Sequence, residues 1–520
     1  MVFDDFNYFD TDYAYRCGAG FHGVTPRWWP CFTFAVPRVL LGEDVMHFFR
    51  IGNLVLHILT VNALFLFLKS LYSALMPKLK NTDAIAAVSA LIFLVHPVSI
   101  YATAYLAERS TLMATLFSLL MLFFHLRGME SRDPRWFLLA VLFCYLALYS
   151  KELSVMIPFV AMLLTVALRD RQLPWRQLAF AFIAYALLSL SVVYQVKSVI
   201  ATSYEPQSSD ILAQLASESK LPHNLYLVSV LMQSLLFFKY VFFWFVPIIS
   251  WMSIDIQQSI IDTTSSPLYW FSAATFVVWC MAGFMQVWRQ GRLALLGIAM
   301  LAPALLFATE FSSIRIQEPF VLYRSYLWMP YLFSAMPLLL NRLKSRQILL
   351  SSIIVVAVLS ALTFEKLKTF DSSYAVWDDA IRLAERDNIR TPMLARMYYN
   401  RGAALLTDHD PLDALNDFNR AISFSHRYIL AINGKGLALM RLKRYAEARA
   451  SFDQVISIKP NYVQSLVARS DACSKIGDEV CADNDLKNAC DLGYGVACLI
   501  REKRNHPEKK TYTIHFGKPK

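Results

Sequence analysis

Charge is scarce in this chain. Only 17% of its 520 residues are Asp, Glu, Lys or Arg, while 56% are apolar and 14% aromatic; soluble domains run nearer a quarter charged. That deficit excludes a wholly soluble, a disordered or a fibrous protein. Acidic residues are the scarcer sign, 39 against 50 basic, for a net charge of +11. The cations stand in short clusters between apolar stretches and not on one surface, which argues against nucleic acid and for cytoplasmic membrane loops. A Gly-rich phosphate loop is also lacking.

What is abundant is apolar sequence of membrane-spanning length, about 20 residues per helix. Such stretches lie near 48–70, 82–101, 108–126, 136–150, 152–168, 175–196, 224–249, 267–288, 292–309, 323–341 and 347–364. Five short loops between them are basic, around Lys69, Lys78 and Lys80; Arg127, Arg132 and Arg135; Arg169, Arg171 and Arg176; Arg289 and Arg292; and Arg342, Lys344 and Arg346. The positive-inside rule puts all five on the cytoplasmic side. Alternation then holds only if 224–249 enters the membrane and returns, interrupted at Lys239 and Pro247, since irregular backbone at membrane depth must be lined by protein. The expectation is ten crossings, with residues 1–45 and the chain's end outside. Met1–Asp12 is acidic and not a basic-then-apolar leader. Two accounts stay open: a short tail translocated by the next helix, or a first membrane helix upstream of Met1, which the reading prefers.

After Lys366 the sequence becomes charged, Ala-rich and periodic, with a repeat of 34 residues. Gly402 and Gly436 share a register, as do Ala414, Ala448 and Ala482, and Phe418, Phe452 and Leu486. This is the tetratricopeptide pattern, in which small residues let paired helices approach and the Phe fills the groove between them. Such arrays bind peptides or partner proteins on a concave face; the alternative is that they cap or dimerise the membrane domain. The expected organisation is all-α: an outer loop at 1–45, a multi-span domain at 46–366, a linker helix at 367–394, repeats at 395–500 and a basic tail at 501–520.

Of eight cysteines, Cys17, Cys31, Cys473, Cys481, Cys490 and Cys498 fall in regions placed outside. The last four, with x7 spacings, resemble the Sel-like variant of these repeats, which implies local disulfides between paired helices. A metal site competes, but no His stands among them and the spacings are not those of zinc ribbons. Disulfides would agree with an oxidising compartment.

Five short motifs occur in order: PheAspAsp at 3–5, HisPro at 96–97 with GluArg at 108–109, SerLysGlu at 150–152, SerIleAsp at 253–255 and TyrArgSerTyrLeu at 323–327. Together with the repeats they resemble the TPR-bearing membrane glycosyltransferases of the GT-C superfamily, similar to protein O-mannosyltransferases. The resemblance runs from about Phe3 to the third repeat. It implies transfer of a sugar from a polyprenyl phosphate to an exported acceptor, with inversion, and protein Ser/Thr hydroxyls are the first choice of acceptor. It implies Asp4 as catalytic base with Asp5 beside it. Where relatives commonly carry Glu in the HisPro motif this chain has Tyr101.

Such chemistry needs a carboxylate to accept the acceptor's proton and cations to hold the leaving phosphate. The cations at membrane boundaries or inside apolar stretches are Arg324, Arg109, Lys151 and Lys239, with Arg324 preferred because a guanidinium can grip phosphate with two parallel bonds. Each competes with a reading as a snorkelling cation. Lys151 and Glu152 are expected to pair with each other, and His96-Pro97 to shape a helix end. Asp255, Glu152, His96 and Tyr323 are the candidates for orienting substrate. Arg315 with Gln317-Glu318-Pro319 forms a further polar cluster. No resident cofactor or metal site is evident, and a divalent requirement is left open. The expected partners are a lipid-linked sugar, an exported protein and membrane lipid, in a bacterial inner membrane with residues 1–45 and the repeats periplasmic. Two other readings stand beside this one: a non-enzymatic scaffold recruiting envelope proteins, and a transferase acting on lipid or polysaccharide.

Overall fold

A computed structural model describes residues 24–41, 46–203, 205, 208–217, 222, 224–258, 266–389 and 392–505. The chain divides into two compact units, Met1–Ile389 and Arg390–Lys520. Among the described residues both are built of helices, and the one β-type pairing is an isolated bridge between Ile256 and Phe320.

In the first unit every apolar stretch read from the sequence contains a helix. Seven are long and apolar enough to cross a membrane: His47–Leu75, Leu106–Ser131, Trp175–Val199, Leu225–Phe245, Pro267–Arg289, Gly291–Ser312 and Ser345–Phe370. Four apolar helices are shorter, Thr82–Leu94, Pro134–Ser150, Glu152–Ala167 and Met329–Leu340. The stretch at 82–101 is cut because Val95 ends one helix and Ser99–Thr103 forms another, with Pro97 between them. Proline disfavours helix at the residue before it, so His96-Pro97 shapes a helix end as expected. Trp28–Leu41 is a further helix, seated through Trp29 on Tyr145 (6.2 Å) and through Phe34 on Phe49 (5.0 Å).

The five basic clusters do meet at one end of this bundle. Arg132 donates to Gln172 at 3.0 Å, Arg169 to the Trp288 carbonyl at 2.6 Å, and Arg171 to the Ala74 carbonyl. Asn81 donates to the Leu343 carbonyl at 2.8 Å, joining the first basic loop to the last.

The expected break at Lys239 is absent. Leu225–Phe245 is a continuous helix of 21 residues, about 31 Å long, that passes through Lys239 and ends before Pro247. A single lysine with a long aliphatic stem does not interrupt a helix whose backbone bonds are all internal. Both flanks of this helix are nevertheless tied to the same segment: the Ile314 amide donates to the Thr202 carbonyl at 3.0 Å and the Ile256 amide to the Phe320 carbonyl at 3.2 Å. The helix runs alongside that segment: Ser229 donates to the Ser313 carbonyl at 3.3 Å near its start, and Trp244 donates to the Ser325 hydroxyl at 3.0 Å near its end.

The division between the units, after Ile389, falls inside the stretch 367–394 that the sequence reading gave to a linker helix. Ser373–Arg386, read as part of a linker, belongs to the first unit, where Lys366 pairs with Asp379 at 2.7 Å and Arg386 donates to the Ser250 carbonyl at 2.7 Å.

The second unit is a run of antiparallel helices: Leu394–Thr407, Pro411–Phe424, Ile429–Arg441, Tyr445–Ile458, Val463–Lys475, Glu479–Asp491 and Gly495–Asn505. Ala414, Ala448, Ala482, Phe418, Phe452 and Leu486 are all buried, as the 34-residue register requires. A Cβ at Gly436 would lie 2.4 Å from the Phe452 ring and one at Gly402 3.0 Å from the Phe418 ring, so glycine is what lets those rings fill the groove. In the third repeat Ser470 takes the glycine position and donates to the Ala482 carbonyl at 2.8 Å. The turn inside each repeat also recurs at 34: His409, Lys443 and Gly477 all have positive φ (67°, 61° and 85°).

Cys473–Cys481 and Cys490–Cys498 are disulfides, each joining neighbouring helices, as the Sel-like resemblance implied. The grouping of Cys473, Cys481 and Asp485 has metal-ligand proximity. Both sulfurs are spent in the disulfide, and the Asp485 carboxylate receives two hydrogen bonds from Arg469, at 2.8 and 2.7 Å. Those bonds hold the Arg469 guanidinium above its ordinary pKa. Cys31 is disulfide-bonded; Cys17 lies outside the described residues.

Candidate functional site

The end of the bundle opposite in character to the basic one gathers most of the residues singled out in the sequence. Its spine is the segment 313–326, irregular at first and then wound into a 3-10 turn at Leu322–Tyr326. Irregular backbone leaves amides without helical partners, and Glu205 meets three of them: its carboxylate accepts from the amides of Ile316 (2.8 Å), Gln317 (2.6 Å) and Glu318 (3.1 Å). Tyr240 binds the same segment, donating to the Val321 carbonyl at 2.9 Å, and Gln233 donates to the Pro319 carbonyl at 3.1 Å.

Four buried or half-buried carboxylates and their cations surround this spine. Lys151 lies 2.7 Å from Glu108 and 2.6 Å from the Thr111 hydroxyl. It does not pair with Glu152, as the sequence reading expected; Glu152 instead accepts two bonds from Arg27. Adjacent residues at a helix end point apart, so each finds a partner far away in sequence. Arg324 is divided between Glu310 (3.5 Å) and Glu318 (3.3 Å), and Arg315 also lies 3.2 Å from Glu310. The Tyr323 hydroxyl donates to Glu318 at 2.9 Å, and its ring faces Lys151 at 5.7 Å, linking the two halves of the cluster. Asp255 is buried and accepts from Gln257 at 2.7 Å, while Gln257 also donates to the Gln317 carbonyl at 3.3 Å.

Two of the four candidate phosphate cations are thus committed to carboxylates, since any anion at Arg324 or Lys151 must compete with a glutamate already in place. Arg109 is committed differently. It donates to Asn53 (2.9 Å), the Thr33 carbonyl (3.1 Å) and the Phe49 carbonyl (2.8 Å), and stacks on Phe34 at 4.0 Å. It locks three helices together. His96 is buried with its ring stacked 4.4 Å from Trp244, and its Nδ1 accepts from the Val98 amide at 3.3 Å. The structure gives His96 a packing role.

Lys239 is the exception. Its ammonium sits 5.0 Å from the Phe320 ring and makes no ion pair or hydrogen bond with a described residue. It lines a cavity of about 420 Å³ together with Phe243, Trp251, Ile256, Arg386 and Asp387. The lining thus offers aromatic faces, two cations and a carboxylate, groups able to meet a ring, an anion and hydroxyls. Asp4 and Asp5 lie outside the described residues.

Sequence reasoning quoted Glu108 in a motif without giving it a role, and it missed Glu205 and Glu310 as members of the site and Arg27 as the partner of Glu152. Glu310 carried a signal, because an acid at the end of the apolar run 292–309 is costly unless paired. Glu205, in the long loop at 197–223, carried none.

Residues 429–462 match the tetratricopeptide repeat family. No curated protein sequence matches the chain. Among solved structures, the crystal structure of the yeast Tom70 is similar at 12% identity over 82% of this chain and 93% of that one, with a TM-score of 0.23. A score that low does not equate the two folds. The chain therefore carries a tetratricopeptide repeat in its second unit, a type of module that binds proteins.

Proposed function

We propose that this chain is a membrane glycosyltransferase that moves a sugar from a polyprenyl phosphate to an exported acceptor, protein Ser/Thr hydroxyls foremost, at the polar end of the first unit. The observation that carries the reading is Lys239, a cation in an apolar helix with no direct ion pair to a described residue, which shares an aromatic cavity beside Phe320 with the Asp387 carboxylate. Cations in such helices are costly and mark function. Lys239 replaces Arg324 as first choice for the leaving phosphate, because the glutamates around Arg324 already neutralise it.

In this reading the acceptor oxygen attacks the anomeric carbon while its proton passes to a carboxylate, Asp4 by the resemblance. The bond from that carbon to the phosphate oxygen breaks, and its electron pair leaves with the phosphate next to Lys239. One displacement inverts the centre and leaves no covalent sugar on the enzyme. The buried network of Glu108, Lys151, Glu310, Glu318 and Arg324 keeps the irregular 313–326 segment in shape around that chemistry. The repeats would present the protein acceptor, and the polar end would face the periplasm of a bacterial inner membrane.

The test is transfer from a radiolabelled polyprenyl-phosphate sugar to a Ser/Thr peptide in membranes carrying the full chain. Lys239→Met should lower transfer by about 10²-fold, as removal of one charge-stabilising group does elsewhere, with Lys239→Arg retaining part of it and Asp4→Asn abolishing it. Transfer that is unchanged in Lys239→Met removes the cavity from the mechanism. A wild-type chain that modifies no peptide, lipid or polysaccharide returns the scaffold reading.

A further inference from the structure

The basic end of the bundle holds a second cavity, of about 840 Å³, unrelated to the site above. It is lined by Lys78, Lys80, Arg292 and Lys344 at its rim and by Leu75, Met76, Pro77, Leu79 and Leu343 among its apolar walls. None of the four cations makes an ion pair with a described residue, and no Asp or Glu stands among the described residues that line the cavity. The carboxylate nearest in sequence, Asp83, is taken by Lys69 at 3.1 Å. The cavity also lies where three helices begin, Thr82–Leu94, Gly291–Phe307 and Ser345–Leu367. Their amide dipoles add positive potential to that of the side chains.

We infer that this cavity binds the headgroup of an anionic phospholipid, with the phosphate among Lys78, Arg292 and Lys344 and the glycerol and first acyl carbons on the Leu75–Leu79 wall. Four cations with no counter-ion among the described residues call for an anion. The apolar wall decides which anion: a free phosphate gains nothing from Leu75, Met76 and Leu343, whereas an amphiphile covers them. The walls come from segments far apart in the chain, 75–81, 291–292 and 341–345, so a seated lipid ties together helix ends that are otherwise joined there by the Asn81 bonds to Leu343 and Ser345. The inference rests on the apolar bundle and is independent of the enzymatic reading.

The test is native mass spectrometry of the detergent-solubilised full chain titrated with phosphatidylglycerol, cardiolipin or phosphatidylcholine. One anionic lipid per chain should be retained, phosphatidylcholine should not, and equimolar inorganic phosphate should fail to displace it. Lys78→Gln/Arg292→Gln/Lys344→Gln should weaken retention by roughly tenfold or more, whereas Lys78→Arg/Lys344→Arg should preserve it. Arg132→Gln/Arg135→Gln removes charge from another loop at the same end and should leave retention unchanged. Equal retention of phosphatidylcholine, displacement by inorganic phosphate, or equal loss in the Arg132→Gln/Arg135→Gln control would each overturn the assignment. The conservative pair separates loss of the site from loss of the fold.

Discussion

The two units of this chain invert one another. In the second, Phe418, Phe452 and Leu486 are buried under helices whose Arg and Lys side chains mostly face outward. In the first, Phe271, Val278, Met281 and Ile354 are more than half exposed, while Glu108, Lys151, Glu310 and Arg324 are less than a tenth exposed. Only 17% of the apolar window of Pro267–Arg289 is buried, and the same holds for Ser345–Phe370. This is the sorting expected if water surrounds the second unit and hydrocarbon the first. In water, burying Phe is the driving force and charges are solvated. Against hydrocarbon, apolar surface costs nothing outside, and charge is retained only inside, where partners neutralise it.

The sharpest way to break this contrast is to strand one of the inward charges. Lys151→Met leaves Glu108 buried with only Thr111 beside it, and should cost about 3–5 kcal/mol in a denaturant titration of the detergent-solubilised chain. The double variant Glu108→Leu/Lys151→Met should recover most of that loss, since an apolar pair of similar volume needs no counter-ion. A single variant as stable as wild type would show that the pair is reached by water.

The outward surface gives the next largest effect. Val278→Arg, at the middle of Pro267–Arg289, should cost about 2.5–3.5 kcal/mol of membrane insertion, read as the membrane-integrated fraction of the expressed chain. Leu412→Lys, equally exposed but in the second unit, should change nothing measurable. If both substitutions are silent, the apolar exterior of the first unit does not face lipid.

Within the second unit, the fit of glycine to ring is tested by Gly436→Val. The added carbons meet Phe452, and overpacking of this kind costs about 1–3 kcal/mol, visible as faster hydrogen exchange across 429–458 in the full chain. Phe452→Leu should restore part of it. The smallest effect has the opposite sign: Lys443→Gly should slow exchange in the same helices by the equivalent of about 1 kcal/mol, because Lys443 holds a left-handed backbone that glycine adopts without strain. No change would mean that the turn relaxes to another conformation at no cost.

The periodic parts of the molecule were legible because their partners lie at fixed offsets. Gly436 meets Phe452 sixteen residues on, and the 34-residue register carries the same contact into the neighbouring repeats. The apolar stretches were legible for a similar reason, since a helix of about 20 apolar residues needs no distant partner to be recognised. The charged network was not. Lys151 beside Glu152 reads as a local pair, yet it bonds Glu108, 43 residues earlier, while Glu152 bonds Arg27, 125 residues earlier. Lys239 read as a break in a helix because hydropathy counts its charge and not its stem.

By itself, the sequence determined which segments are helical, which are apolar enough for a membrane, and where the repeats fall, since each of these depends on residues within a turn or two of one another. Which cation meets which carboxylate, and that Lys239 shares a cavity with Asp387 and pairs with no glutamate among the described residues, were decided by the tertiary structure. Buried ion pairs are chosen by the packing of helices remote in sequence, and a side chain's own identity does not say what will stand opposite it.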